Sequence, residues 1–202
     1  MTADLFKRFG SAIGRLERIR GRVDSALAAG AIRPRDAETF YESLLLRGST
    51  YLESFFEELF CTILLGRIGY PASRVRAVVP FSSTRQLHRV VWAGKQYLDW
   101  LPFEHTKRRA EIYLRRGYPF CELDAGQLSR LKYIHIIRNA IAHSSDHARG
   151  EFRRVVLSGH HLTKSEKTPG GYLRAVAIVN PRTTRLALLL NDMLVVADAL
   201  KP

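Results

Sequence analysis

The chain has 202 residues, of which 46% are hydrophobic and 25% are charged, and this composition excludes an intrinsically disordered protein. Lysine and arginine together number 32 against 19 aspartate and glutamate residues, so the formal net charge is +13. A charge excess of this size favours a polyanionic partner, with nucleic acid ahead of a membrane surface.

The first part of the chain is predicted to form two long helices. Apolar side chains recur at intervals of three and four residues over positions 6–27, with arginine and glutamate between them, and Gly30 ends this helix. Pro34 stands in the first turn of a second helix, which runs to about Leu65 and is apolar on several sides. We therefore expect the second helix to be central, and the turn-rich segment 66–81 to be a connection.

The remainder is predicted to form further helices with short connections. Capping residues, first-turn prolines and terminal glycines delimit helices over 83–92, 102–117, about 127–142 and 182–200. Segment 151–157 fits either a helix or a strand, and 172–179 is also ambiguous. The pattern predicts an all-α fold: a helical bundle of five or six helices in a single domain, 1–202, with a small irregular insertion near 152–180.

Neither cysteine chemistry nor a membrane anchor is indicated. Cys61 and Cys121 are too few for a disulfide framework and lack the C-x-x-C spacing of a metal site, so we expect small buried side chains. The charged N-terminal segment lacks the apolar run of a signal peptide, and no window of about 18 residues is continuously apolar. We therefore expect a soluble, cytoplasmic protein with no membrane contact.

The most informative stretch is Arg138-Asn139-Ala140-Ile141-Ala142-His143, where an apolar helix runs out into polar residues. At about 100° per residue, Asn139 and His143 share a helix face, whereas Arg138 points about 140° away from His143. Arg138 and His143 can therefore converge if Arg138 swings along the helix, if the helix ends there, or if a second copy contributes.

An arginine five residues before a histidine is weak evidence by itself. With 25 arginines and 7 histidines in the chain, composition alone predicts about one such pair. The same helix holds another, Arg130 and His135, which lies among apolar residues without an adjacent asparagine and is interpreted as a chance pair. The fuller string R-N-x-x-A-H is what distinguishes residues 138–143.

The string RNAIAH resembles the R-x(4–6)-H signature of the HEPN superfamily, in the variant in which a polar residue follows the arginine. Three other segments are similar to stand-alone bacterial members of the RiboL-PSP-HEPN kind: SAIGRLERI, YLESFFEELF and YLDWLPFEHTKRRAEIYLRRGYPF. The resemblance covers most of residues 5–160, and the RN…AH string is its diagnostic part. It implies an all-α homodimer in which two motifs share one cleft, and an endoribonuclease that uses no metal or other cofactor.

The resemblance also implies a role for each motif residue. His143 is the expected general base or acid at the ribose 2′-hydroxyl and the leaving 5′-oxygen. Arg138 is expected to bind the scissile phosphate, and Asn139 to hold His143 or to bond the phosphate. The partner that the resemblance implies is RNA, and the implied products are a 2′,3′-cyclic phosphate and a 5′-hydroxyl.

Many HEPN proteins belong to toxin–antitoxin or phage-defence systems, so the resemblance also implies an antitoxin or defence-complex partner. Some members carry a tyrosine two residues after the histidine, which a nucleotidyltransferase antitoxin modifies. Ser145 occupies that position here, and this departure argues against that form of regulation.

Residues outside the motif are predicted to bind RNA. Two arginine pairs stand seven positions apart, on one face of the predicted helix 102–117, where they suit a phosphate backbone: Arg108-Arg109 and Arg115-Arg116. His147 is a candidate second imidazole near the motif, or else a solvated loop residue.

Each candidate has a structural alternative. His143 can be a helix-terminal residue near backbone carbonyls, and Arg138 a surface charge. Three glutamates either include a carboxylate that faces the cleft or form a solvated stripe: Glu53, Glu57 and Glu58. Two tryptophans are expected to pack in the core or in an interface rather than stack on bases: Trp92 and Trp100.

Two functions of different classes follow. The first is a HEPN-type endoribonuclease, a toxin or phage-defence effector. The alternative is a non-catalytic RNA-binding or protein-interaction helical module, which fits the predicted fold and the charge equally well. A DNA-binding regulator is disfavoured because no helix–turn–helix with a recognition helix is evident.

Overall fold

The computed structural model describes residues 2–67, 70 and 75–202. Its α-helices are α1 (Thr2–Ala28), α2 (Pro34–Leu64), α3 (Thr84–Val91), α4 (Phe103–Tyr113), α5 (Ala125–Ala142), α6 (Asp146–Glu151), α7 (Pro169–Arg174) and α8 (Arg185–Ala199). Single 3-10 turns lie at Arg115–Gly117, Phe120–Glu122 and Ser165–Lys167, and a π-helical turn at Phe152–Val156. Two short antiparallel strands, β1 (Val176–Ile178) and β2 (Thr183–Thr184), precede α8.

The first two helices form an antiparallel pair. Phe9, near the start of α1, packs on Phe55 in the second half of α2, with ring centroids 4.8 Å apart. Asp24, near the end of α1, accepts a hydrogen bond from the Tyr41 hydroxyl in the first half of α2. Gly30 turns the chain between the helices with a φ of 70°, a conformation that glycine adopts without a Cβ penalty.

Helix α2 is the centre of the core, as its apolar pattern predicts. It packs against α1, α5, α7 and α8, and its buried side chains include Phe56 and Phe60. Phe60 lies 5.4 Å from the Trp100 ring, centroid to centroid, and the Trp100 indole donates a 2.8 Å hydrogen bond to Glu57. Trp92 and Trp100 are both buried, so the prediction that they pack in the core is confirmed.

The all-α bundle is confirmed, but the described residues contain eight α-helices rather than five or six. Two of the additional helices are short. The polar stretch after residue 143 becomes α6 because the Ser145 hydroxyl accepts a hydrogen bond from the backbone N–H of Ala148 and caps the new helix. Thr168 caps α7 in the same way, so the insertion near 152–180 consists largely of helical turns and one hairpin.

The predicted helix 102–117 is four residues shorter than expected at its C-terminal end, because α4 ends at Tyr113. Leu114 is extended and pairs with Ala77, and the Arg115 N–H donates to the Arg76 carbonyl at 2.8 Å. Arg116 then adopts a φ of 58°. The arginine pairs 108–109 and 115–116 therefore do not share one helix face, and that prediction is wrong.

Helix α7 approaches its neighbours so closely that it requires glycine. A Cβ added to Gly171 would lie 1.9 Å from the carbonyl oxygen of Ser165, which is far inside van der Waals contact. Gly150 on α6 is the opposite case, because a Cβ there would meet nothing within 4 Å. The Gly171 backbone thus lets the 3-10 turn and α7 pack together.

The predicted connection 66–81 lies partly outside the described residues, at 68, 69 and 71–74. Its last part includes Ala77, which pairs with Leu114. Within the described ranges, the helices are all too short or too polar to cross a membrane.

Candidate functional site

The last two turns of α5 carry the motif. Asp124 caps the start of this helix by accepting a 2.8 Å hydrogen bond from the Gln127 N–H, and buried Leu131, Ile134 and Ile137 anchor its inner face. The anchored face holds the polar residues of the last turns in a half-buried position.

Arg138 and Asn139 are joined directly. The Arg138 guanidinium donates from Nη1 to the Asn139 Oδ1 at 2.9 Å. A guanidinium has only donors, so this contact requires the oxygen of the amide to face Arg138 and its nitrogen to face the other way. The orientation of the Asn139 amide is therefore determined by Arg138.

The other end of the Asn139 amide meets His135, one turn earlier. The Asn139 Nδ2 lies 3.0 Å from His135 Nε2, and because the amide nitrogen donates, this imidazole nitrogen must accept. Burial lowers the pKa of His135, and the positive charge of Arg138 lowers it further. His135 is thus a neutral imidazole with its proton on Nδ1, an atom that is buried and has no hydrogen-bond partner among the described residues.

His143 stands outside this chain of hydrogen bonds. Helix α5 ends at Ala142, and His143 has extended backbone angles with its N–H bonded to the Asn139 carbonyl at 2.9 Å. Its side chain is exposed. The helix therefore ends before His143, as one of the three alternatives requires, and the Asn139 side chain bonds Arg138 rather than the ring of His143.

Acidic side chains from other elements act electrostatically on the motif. Glu53 of α2 is half-buried, and burial raises the pKa of its carboxyl. The charge of Arg138 opposes this increase and that of Asp99 adds to it, so the pKa remains above its usual value. Glu104 of α4 and Glu151 of α6 both act on His135 and oppose the fall in its pKa. The end of α5 is thus a junction of α2, α4, α5 and α6, with charges of both signs.

A cleft of about 670 Å³ adjoins this junction. One wall is α4 and the other is the loop 95–99, and Asp99 and His105 belong to the lining. Since Asp99 affects the pKa of Glu53 and His105 that of His135, the cleft and the motif are close enough to interact electrostatically.

The structure separates the predicted RNA-binding residues into three places. Arg108 and Arg109 line the cleft beside the motif. Arg115 and Arg116 are exposed on the 3-10 turn beyond α4. His147 is exposed on α6 and lines a shallow hollow of about 300 Å³ with Glu151 and Arg154.

The cysteines are half-buried rather than fully buried, and burial raises the pKa of the Cys61 thiol to about 12, so it is a poor nucleophile at neutral pH. Among the described residues, histidine, cysteine and carboxylate side chains do not gather in groups of three that could hold a metal ion.

Sequence reasoning missed His135, which it interpreted as part of a chance pair. A signal was present, because His135, Asn139 and His143 follow one another at intervals of four residues, and residues four apart are neighbours on a helix. Of the three glutamates left open, Glu53 is the one close to Arg138, whereas Glu57 bonds Trp100 and exposed Glu58 pairs with Arg8.

Compared with known proteins, the chain matches no family model, no curated protein and no solved structure. The resemblance to the HEPN superfamily accordingly remains a prediction that rests on the motif string.

Proposed function

We propose that this protein is a metal-independent endoribonuclease of the HEPN type, which cleaves RNA through attack by the 2′-hydroxyl. The observation that carries the proposal is the hydrogen-bonded series Arg138–Asn139–His135, held half-buried in the last turns of α5, with the exposed imidazole of His143 on the residue that follows the helix. The series fixes a cation for a phosphate, and the helix end presents a group that can transfer protons.

Arg138 is suited to bind the scissile phosphate. Asn139 holds one of its guanidinium nitrogens, and no carboxylate forms a salt bridge with it among the described residues, so its charge is available. A guanidinium presents its donors as a planar fork that matches phosphate oxygens. Because the group is held in place before the reaction, it stabilises the charge that grows on those oxygens in the transition state.

His143 is the proposed proton-transfer group. The 2′-oxygen of the ribose attacks phosphorus and its proton passes to the imidazole; the bond from phosphorus to the 5′-oxygen breaks, and that oxygen takes a proton from the imidazolium. The products are a 2′,3′-cyclic phosphate and a 5′-hydroxyl, and His143 returns to its initial state. The nucleophile is supplied by the RNA itself, so the reaction requires proton transfer and charge stabilisation but no cofactor.

The net charge of +13 supports a polyanionic substrate. From the resemblance we also propose a homodimer, a role as a toxin or phage-defence effector, and an antitoxin or defence-complex partner.

The decisive experiment is RNA cleavage in excess EDTA. Wild type, His143→Ala and His161→Ala are incubated with total RNA and with tRNA, and the product ends are identified by mass spectrometry. His161 is exposed in the segment before α7 and serves as a matched control. We expect wild type and His161→Ala to produce cyclic-phosphate ends and His143→Ala to bind RNA without cutting it.

Arg138 is tested in the same assay. Replacing it with alanine should lower kcat by about 10²–10³-fold, as removal of one preorganised donor does elsewhere. Arg138→Lys, which keeps the charge but loses the fork, should remain impaired. Tight, salt-sensitive RNA binding with no cleavage by wild type would instead support the non-catalytic RNA-binding module.

A further inference from the structure

The cleft beside the motif combines two kinds of surface. One face of α4 lines the cleft with residues that stand three, four and seven positions after His105: Arg108, Arg109 and Ile112. The loop 95–99 forms the opposite wall, after a turn in which Gly94 has a φ of 83°. The volume of about 670 Å³ is in the range of small-molecule sites, about 300–1,000 Å³.

Large apolar side chains in this cleft are exposed. Tyr97 from the loop is 74% exposed and Ile112 from α4 is 64% exposed. Neither side chain belongs to the hydrophobic core of the bundle, so both are available to a ligand. A tyrosine ring presents a flat surface on which a nucleobase can stack.

Cations line the same cleft. Arg109 lies over the Trp100 ring at 4.6 Å and donates from Nη2 to the Asp99 carbonyl at 3.0 Å. Its Nη1 is buried but has no hydrogen-bond partner among the described residues, and a buried donor without an acceptor is costly. Lys95 and Arg108 add positive charge, and Asp99 is the acidic residue of the lining.

We infer that the cleft binds one unstacked nucleotide of single-stranded RNA, with its base on Tyr97 and its phosphates at Lys95 and Arg108. This inference rests on the proposed function, because the nucleotide in the cleft would belong to the RNA strand whose scissile phosphate Arg138 is proposed to bind. A paired base is excluded, because the bases of an A-form duplex are stacked and not accessible to side chains of this kind.

The test measures binding separately from cleavage. A fluorescent 2′-O-methyl RNA of about eight nucleotides, within the span of single-strand sites, cannot be cut by 2′-hydroxyl attack, and its affinity is read by fluorescence anisotropy. We expect Tyr97→Ala to weaken binding about tenfold or more, because base stacking is lost. Tyr97→Phe retains the ring and should bind like wild type. Tyr133→Ala, which removes an exposed tyrosine on α5, should also bind like wild type.

Unchanged affinity in Tyr97→Ala, or equal affinity for the oligonucleotide and its duplex, would overturn the inference, as would a wild type that does not bind. Tyr97 is largely exposed, so its variants are expected to fold, and circular dichroism verifies this. If wild type fails to cleave natural RNA while Tyr97→Ala still loses binding, the nucleotide site is supported and the proposed nuclease activity is wrong. If cleavage depends on His143 but Tyr97→Ala binds normally, the nuclease activity is supported and the nucleotide site is wrong.

Discussion

Replacement of Asn139 by leucine tests the hydrogen-bonded series on which the candidate site depends. Leucine has a similar size but can neither accept from Arg138 nor donate to His135. Both contacts are short, at 2.9 and 3.0 Å, and all three side chains are half-buried. The substitution therefore leaves a guanidinium and an imidazole without their partner.

The expected loss of stability follows from the two bonds. A hydrogen bond with a charged donor contributes about 1.5–3 kcal/mol, and a neutral one about 0.5–1.5 kcal/mol. Water can reach these half-buried groups and replace part of each bond, so we expect Asn139→Leu to lower the free energy of unfolding by about 1–3 kcal/mol. Under the proposed function, kcat should fall as well, because Arg138 is no longer held in place.

The assay is urea unfolding followed by circular dichroism, with Asn191→Leu as the control. Asn191 is an exposed residue within α8, so its replacement has the same chemistry and a similar effect on helix propensity but should change stability by less than about 0.5 kcal/mol. Equal unfolding free energies in the two variants would mean that the series does not stabilise the fold and that Asn139 does not position Arg138.

Three further predictions concern pH, the basic surface and the packing of α7. Burial lowers the pKa of His135 from its usual 6.5, so below that pH the unfolded chain binds a proton that the folded chain does not, and the free energy of unfolding falls as pH drops. His135→Gln should reduce this loss of stability, measured by urea unfolding at about pH 7.5 and 5.5. An identical loss in the variant would contradict the assignment of a neutral His135. Arg108→Ala should weaken RNA binding and reduce the slope of log affinity against log salt concentration by about 0.7. Arg115→Ala, on the 3-10 turn beyond α4, should leave that slope unchanged. Equal effects of the two variants would support the original prediction that both arginine pairs form one RNA-binding surface. Gly171→Ala should lower the free energy of unfolding by about 2 kcal/mol or more, because the new Cβ clashes with the Ser165 carbonyl oxygen. Gly150→Ala should raise it by about 0.5–1 kcal/mol, because alanine has the higher helix propensity. If thermal denaturation ranks the two variants the other way, Gly171 does not pack closely against Ser165.

Local pattern was sufficient for the long helices and for the motif. Helices α1 and α2 were predicted almost to their ends, because periodic apolar residues and Gly30 act within a few residues of the chain. The same holds for the end of α5, where polar residues after His143 predicted termination. The short helix α6 was missed because a serine cap in a polar stretch resembles a loop when no apolar face accompanies it.

The tertiary structure decided where α4 ends and what surrounds the motif. Arg115 leaves the helical path because its N–H bonds the Arg76 carbonyl, a contact between residues about forty positions apart in sequence that local propensity does not report. The proximity of Glu53 to Arg138, and the burial that keeps His135 neutral, likewise arise only when α2 and α5 pack together. Apolar periodicity shows which face of a helix turns inward, but charges on separate helices meet only through packing, and packing sets both the cleft and the pKa values at the candidate site.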